Sequence, residues 1–179
     1  MKAEEQGMTT KELIAVGTVF NVFWFVAVLG QAQYSWVLLS ILIFSWWRFH
    51  AAFKFGVAIG SAGILMDMAL KHFALYQFAT DSFPLWLALL WLGFGTFVWI
   101  IREKITSYSA VIIMALGGVG GMMSYFAGYR LGAVIWPYDL SITLPTILLC
   151  WIVFSGFILL TLKHIAGYYR RTYEHSIYR

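Results

Sequence analysis

The sequence predicts an all-α fold, a polytopic transmembrane helical bundle of about six spans with both termini in the cytoplasm. Three observations carry that expectation: too little charge to cover a soluble surface, six apolar runs near bilayer length, and a lopsided placement of Lys and Arg. Of 179 residues, 61% are hydrophobic and only 11% are charged, against about 45–50% and about 25% in soluble domains. Aromatics reach 19% and include nine tryptophans. The natural solvent for such a chain is lipid.

A hydrocarbon core about 30 Å thick takes about 20 helical residues at about 1.5 Å each. The runs fall at Leu13–Leu29, Tyr34–Phe49, Phe55–Tyr76, Pro84–Ile101, Ser109–Val134 and Ile142–Ile165. They divide the chain into a cytoplasmic arm (1–12), one transmembrane helical domain (13–165) and a basic, aromatic cytoplasmic tail (166–179). The first run is too long for the apolar part of a signal peptide, and Glu4, Glu5 and Glu12 spoil a basic leader, so Gly30-Gln31-Ala32 is not expected to be cleaved. The second run is the shortest and ends in Trp46-Trp47-Arg48, where the indoles suit the interface and Arg48 can snorkel; a re-entrant segment is the alternative there. Asp81, Ser82 and Pro84 read as a helix start. Trp136-Pro137-Tyr138-Asp139 reads as a tight outer loop carrying interface aromatics.

Lys and Arg set the orientation. Ten of the twelve fall in the N-terminal arm, the second and fourth loops, or the tail, leaving Lys71 and Arg130 for the other side. The +4 net charge is therefore a topology signal; its basic residues are too dispersed for nucleic acid. The single cysteine, Cys150, lies in an apolar run, so no internal disulfide can form.

Helices in lipid gain nothing from hydrophobic association and pack through small residues. At about 100° per residue, Gly56, Gly60 and Gly63 share a stripe with Asp67 in the third run, and Gly117, Gly121, Ser124, Gly128 and Gly132 share one in the fifth. The expectation is that the third and fifth spans cross at these stripes. The cluster Gly117-Gly118-Val119-Gly120-Gly121 lacks the Lys-Ser/Thr of a phosphate loop, and no strand precedes it. H-E-x-x-H, C-x-x-C and G-x-S-x-G are absent too. No catalytic signature remains.

Asp67 is the most informative residue. A mid-membrane carboxylate costs about 2.5–3.5 kcal/mol on insertion scales. Lys71 follows at i+4 in the favourable acid-before-base order, so a self-neutralising pair is one reading. The other is contact with a cation, a proton or a polar headgroup, the usual role of intramembrane ionisable groups. Asn21 sits mid-span beside Gly17 and Trp24, either as interhelical glue or as part of the same site. Arg130 falls far around the helix from the stripe and suits snorkelling, not pairing with Asp67. The histidines form no ligand set, so neither metal nor cofactor is expected. The aromatic richness reads as mostly lipid-facing and interfacial bulk.

Asn21-x-x-Trp24, Gly63-x-x-x-Asp67, Pro84-Leu85-Trp86 with Leu90-Trp91, and Gly121-x-x-Ser124-Tyr125-x-x-Gly128 with Leu131-Gly132 together resemble the bacterial membrane family DUF2878, across about residues 13–165. That resemblance implies a bacterial inner membrane and no established activity. Two function classes follow from the residues. One is binding or transport of a small solute or lipid headgroup at a polar pocket of Asp67, Lys71 and Asn21. The other is a non-catalytic accessory or scaffold protein that organises membrane lipids or a membrane protein partner in lipid or envelope homeostasis. An intramembrane lipid-modifying enzyme ranks last, because the acid/base or metal constellation it needs is missing.

Overall fold

The computed structural model describes residues 8–78 and 82–177, with side chains through Tyr168. Its helices are α1 (Thr10–Gly30), α2 (Ser35–Arg48), α3 (His50–His72), α4 (Leu85–Ile100), a short α5 (Arg102–Ser107), α6 (Ala110–Arg130) and α7 (Leu140–Ile177). Four stretches are long and apolar enough to cross a membrane: Thr10–Arg48, His50–His72, Ala110–Arg130 and Leu140–Tyr168. Leu85–Ile100 is a shorter apolar helix. The fold is that of a helical membrane protein.

Local chemistry fixes the ends. Thr9 and Glu12 form a reciprocal capping box at the start of α1, with Thr9 N–H donating to Glu12 at 2.8 Å and Glu12 N–H to Thr9 Oγ1 at 3.3 Å, which satisfies two otherwise unpaired amides. A 3₁₀ turn at Gln31–Tyr34 reverses the chain into α2. Val16, Val19 and Phe20 then border one small pocket with Ile41, Leu42 and Ser45, so α1 and α2 run antiparallel. Only Phe49 separates α2 from α3. Pro84 is the N-cap of α4, and its carbonyl accepts from Leu87 and Ala88 at 3.2 Å; Asp81, expected in the same start signal, lies outside the described residues. Ser109 caps α6 through the Ile112 amide.

Two run lengths differ from expectation. With 14 residues, α2 spans about 21 Å, less than the hydrocarbon core. The final helix continues to Ile177, running through Gly167 just past the end of the apolar run.

The buried wall of α4 goes most of the way around it: Trp86, Leu89, Trp91, Gly93, Gly95, Thr96 and Val98. A helix apolar on every side belongs at the centre. It packs against α1, α2 and α3 and stacks Trp91 on Trp151 of α7. One core cluster joins α3, α4 and α7 around Trp91, Trp151 and Phe154. A second joins α1, α2 and α4 around Phe23, Leu38, Leu42 and Leu89.

The glycine stripes do not meet each other as expected. Gly56, Gly60 and Gly63 face Thr96, Leu92 and Trp91 of α4, while Gly117, Gly118 and Gly121 face Ser155, Ile152 and Trp151 of α7. A Cβ at Gly63 would overlap the Trp91 indole, and one at Gly121 the Trp151 indole. Those indoles stack at 5.4 Å with planes 15° apart. The third and fifth runs are thus joined through two tryptophans of other helices, Trp91 seated on Gly63 and Trp151 on Gly121. Periodicity located the grooves but could not say which helix fills them. Gly132 is no packing residue: at φ +76° it ends α6, with Ala133 N–H donating to the Gly128 carbonyl at 2.9 Å. Only glycine takes that left-handed position without strain. Gly128 faces open space.

Trp136, expected at the interface, is buried and stacked on Tyr129 at 4.6 Å. Trp86, Trp91 and Trp151 are buried as well, whereas Trp36, Trp47 and Phe44 are among the exposed aromatics.

Candidate functional site

Behind the stacked indoles, α1, α3, α4, α6 and α7 surround a cavity of about 650 Å³, within the range of small-molecule sites. Its wall is mostly apolar and aromatic, with Asp67, Asn21, Ser124 and Ser155 among the polar exceptions.

Asp67 is fully buried. Helical spacing puts it one turn beyond Gly63, so its carboxylate emerges beside the ring that fills the glycine groove. Trp91 Nε1 donates to Oδ2 at 2.6 Å, and the Tyr125 hydroxyl donates to Oδ1. Tyr76 donates to the Asp67 backbone carbonyl at 3.1 Å. Tyr76 reaches back because Ala74, at φ +55°, turns the chain at the end of α3, with Leu75 N–H bonded to the Leu70 carbonyl at 3.0 Å. The segment is held from the other side by paired backbone bonds between Gln77 and Ile135, at 2.8 and 2.9 Å. Three helices and a loop therefore converge on one aspartate.

The self-neutralising pair with Lys71, one of the two readings of Asp67, does not form within 4 Å. Lys71 lies over the Phe78 ring at 5.8 Å and does not line the cavity. The i+4 spacing permits a pair, but the indole and phenol reach the buried carboxylate without dragging an ammonium out of water. Arg130 is exposed and makes no contact with Asp67, in line with its predicted orientation. Asn21 does border the cavity, yet it is no interhelical glue: its Nδ2 donates to Gly17 of its own helix at 2.8 Å. Ser124 works as a bridge instead of a packing residue, accepting from Trp24 Nε1 at 2.8 Å.

That bridge crosses a gap. α1 does not pack along α6, and Trp24–Ser124 is the one hydrogen bond joining them among the described residues. Phe25, Leu116 and Met123, at 51%, 66% and 49% exposure, line the cavity where it opens between these helices. Gly120 and Gly128, also lining it, have nothing within 4 Å of an added Cβ. The opening faces sideways, toward the surroundings of the helix bundle. Among the described residues no group of three or more metal-ligating side chains exists.

Sequence reasoning found Asp67 and Asn21 but missed Trp24, Tyr76, Trp91, Tyr125 and Trp151 as site residues. A signal existed for three: Trp24, Trp91 and Tyr125 stand inside the motif strings. A lone aromatic in an apolar run, however, reads the same whether it faces lipid or an acid.

Fold and site together define an all-α membrane protein with a side-opening, aromatic cavity built around a buried acid. Residues 13–157 match the family described as "Protein of unknown function (DUF2878)", and the chain belongs to that family. No curated protein matches it, and no solved structure does.

Proposed function

We propose that this is a multi-pass protein of the bacterial inner membrane that binds an amphipathic molecule drawn from the bilayer. The six helices other than α5 then cross, the shorter α2 and α4 included, with both termini in the cytoplasm. The antiparallel pairing of α1 with α2, α3 with α4 and α6 with α7 and the distribution of Lys and Arg support that topology. One observation carries the binding reading: the cavity opens between α1 and α6, where hydrocarbon chains would lie. A molecule with an apolar body could enter there without crossing water, and its polar end would meet a wall that includes Tyr125, Ser124 and Asn21, with Asp67 buried behind Tyr125. Removing that end from lipid to a partnered polar site offsets a penalty of several kcal/mol per unsatisfied group.

The test fills the cavity without disturbing a packed surface. Gly128→Leu places a side chain in open space. Native mass spectrometry of gently solubilised wild type should show one stoichiometric amphipathic molecule that the variant lacks, both unfolding at the same temperature. Identical spectra carrying only bulk phospholipid would overturn the reading and favour an accessory role with a protein partner.

A further inference from the structure

Most polar groups around the cavity already donate inside the protein. Trp91 and Tyr125 donate to the Asp67 carboxylate, Tyr76 to the Asp67 carbonyl, Trp24 to Ser124, and Asn21 to Gly17. What the tyrosines and the Asn21 amide oxygen still have to give is lone pairs. Three donors are left over: the second Asn21 amide hydrogen, the Trp86 indole N–H, for which no acceptor stands among the described residues, and the Trp151 indole nitrogen, which is buried without a partner. The hydroxyls of Ser124 and Ser155 can turn either way.

The same wall carries uncompensated negative charge. Asp67 is fully buried, its carboxylate is held by neutral donors, and the sole ion pair within 4 Å among the described residues is Arg102–Glu103 at the far end of α4. Aromatic rings surround the remaining space, Trp24, Trp86, Trp91 and Phe94 among them, and their faces attract cations. Acceptors, ring faces and a buried carboxylate without a counter-ion all favour the same guest, and all disfavour an anion.

From this convergence we infer that the polar end of the ligand is an ammonium group, on an apolar body, and not a carboxylate or a phosphate monoester. The inference rests on the binding reading above and names the ligand's chemistry within it. An ammonium can come from a free amphiphilic amine or from an ethanolamine-type lipid headgroup.

The experiment titrates the full chain in dodecyl maltoside with matched twelve-carbon probes: dodecylammonium, dodecanol and dodecanoate. Tryptophan fluorescence is the readout, since four cavity residues are indoles. Dodecylammonium should bind at least about tenfold tighter than dodecanoate, a difference of about 1.4 kcal/mol. Asp67→Asn should abolish that preference and leave dodecanol unchanged. Equal or reversed ranking in the wild type overturns the ammonium assignment while sparing the cavity, and it does so even if Asp67→Asn fails to fold. A preference that survives in a folded Asp67→Asn overturns it as well. Saturable binding by none of the three removes the binding reading itself. A fourth titration, with lysophosphatidylethanolamine, separates the sources: tighter binding than dodecylammonium assigns a lipid headgroup, weaker binding a free amine.

Discussion

Asp67 illustrates how a single polar residue can organise the apolar residues around it. Its carboxylate holds Trp91 of α4 and Tyr125 of α6 in one plane of contact, so the residue couples helices that barely touch otherwise. Removing it strands two buried donors, and each stranded donor costs about 1–3 kcal/mol. Asp67→Ala should therefore lower equilibrium stability more than Tyr125→Phe, which removes one donor and leaves the carboxylate bonded to Trp91. Unfolding of the detergent-solubilised variants by a denaturing detergent checks this order; equal stability of Asp67→Ala and wild type would contradict it. The importance of Asp67 was legible in the sequence, because a carboxylate in an apolar run is costly wherever it sits. Its partners were not. Lys71 was the nearest cation along the helix, whereas Trp91 and Tyr125 lie 24 and 58 residues away, a separation no local spacing rule can bridge.

At the scale of helices, small residues decide which pairs come close. Gly60 lies so near α4 that an added Cβ would sit 3.0 Å from the Leu92 Cα and 3.1 Å from its nitrogen. Backbone cannot swing aside as a side chain can, so Gly60→Ala must push α3 and α4 apart, at about 1–3 kcal/mol. Gly17 has nothing within 4 Å. There alanine only adds helix propensity, about 1 kcal/mol in its favour. Opposite signs at two helical glycines are the expected result, read as unfolding midpoints of Gly60→Ala and Gly17→Ala beside wild type. Both stripes were visible in the periodicity, and both do mark close approaches. Their partners were misassigned because a groove records only the space left open. The indoles that fill Gly63 and Gly121 come from runs that showed no periodic signal of their own; α4 is apolar on every side, and that uniformity hides its contact faces.

For the whole molecule, the class of helical membrane protein followed from composition, since lipid thickness is an external constraint. The cavity did not follow. It arises because α1 and α2 dock on one side of α4 while α7 draws α6 to the other, leaving α1 and α6 apart except at Trp24–Ser124. Absent contacts leave no trace in a sequence. The central claim is that this gap admits molecules from the bilayer, and photocrosslinking tests it most directly. Proteoliposomes would carry lipid with a photoactivatable group in the acyl chain, and labelled peptides would be mapped by mass spectrometry. The account predicts enriched labelling around Trp24–Phe25 and Met123–Tyr125, above that at outward-facing Val153 and Leu160, which are 64% and 70% exposed, and loss of the enrichment in Gly128→Leu. Labelling that simply tracks exposure, and does not change in Gly128→Leu, would contradict it.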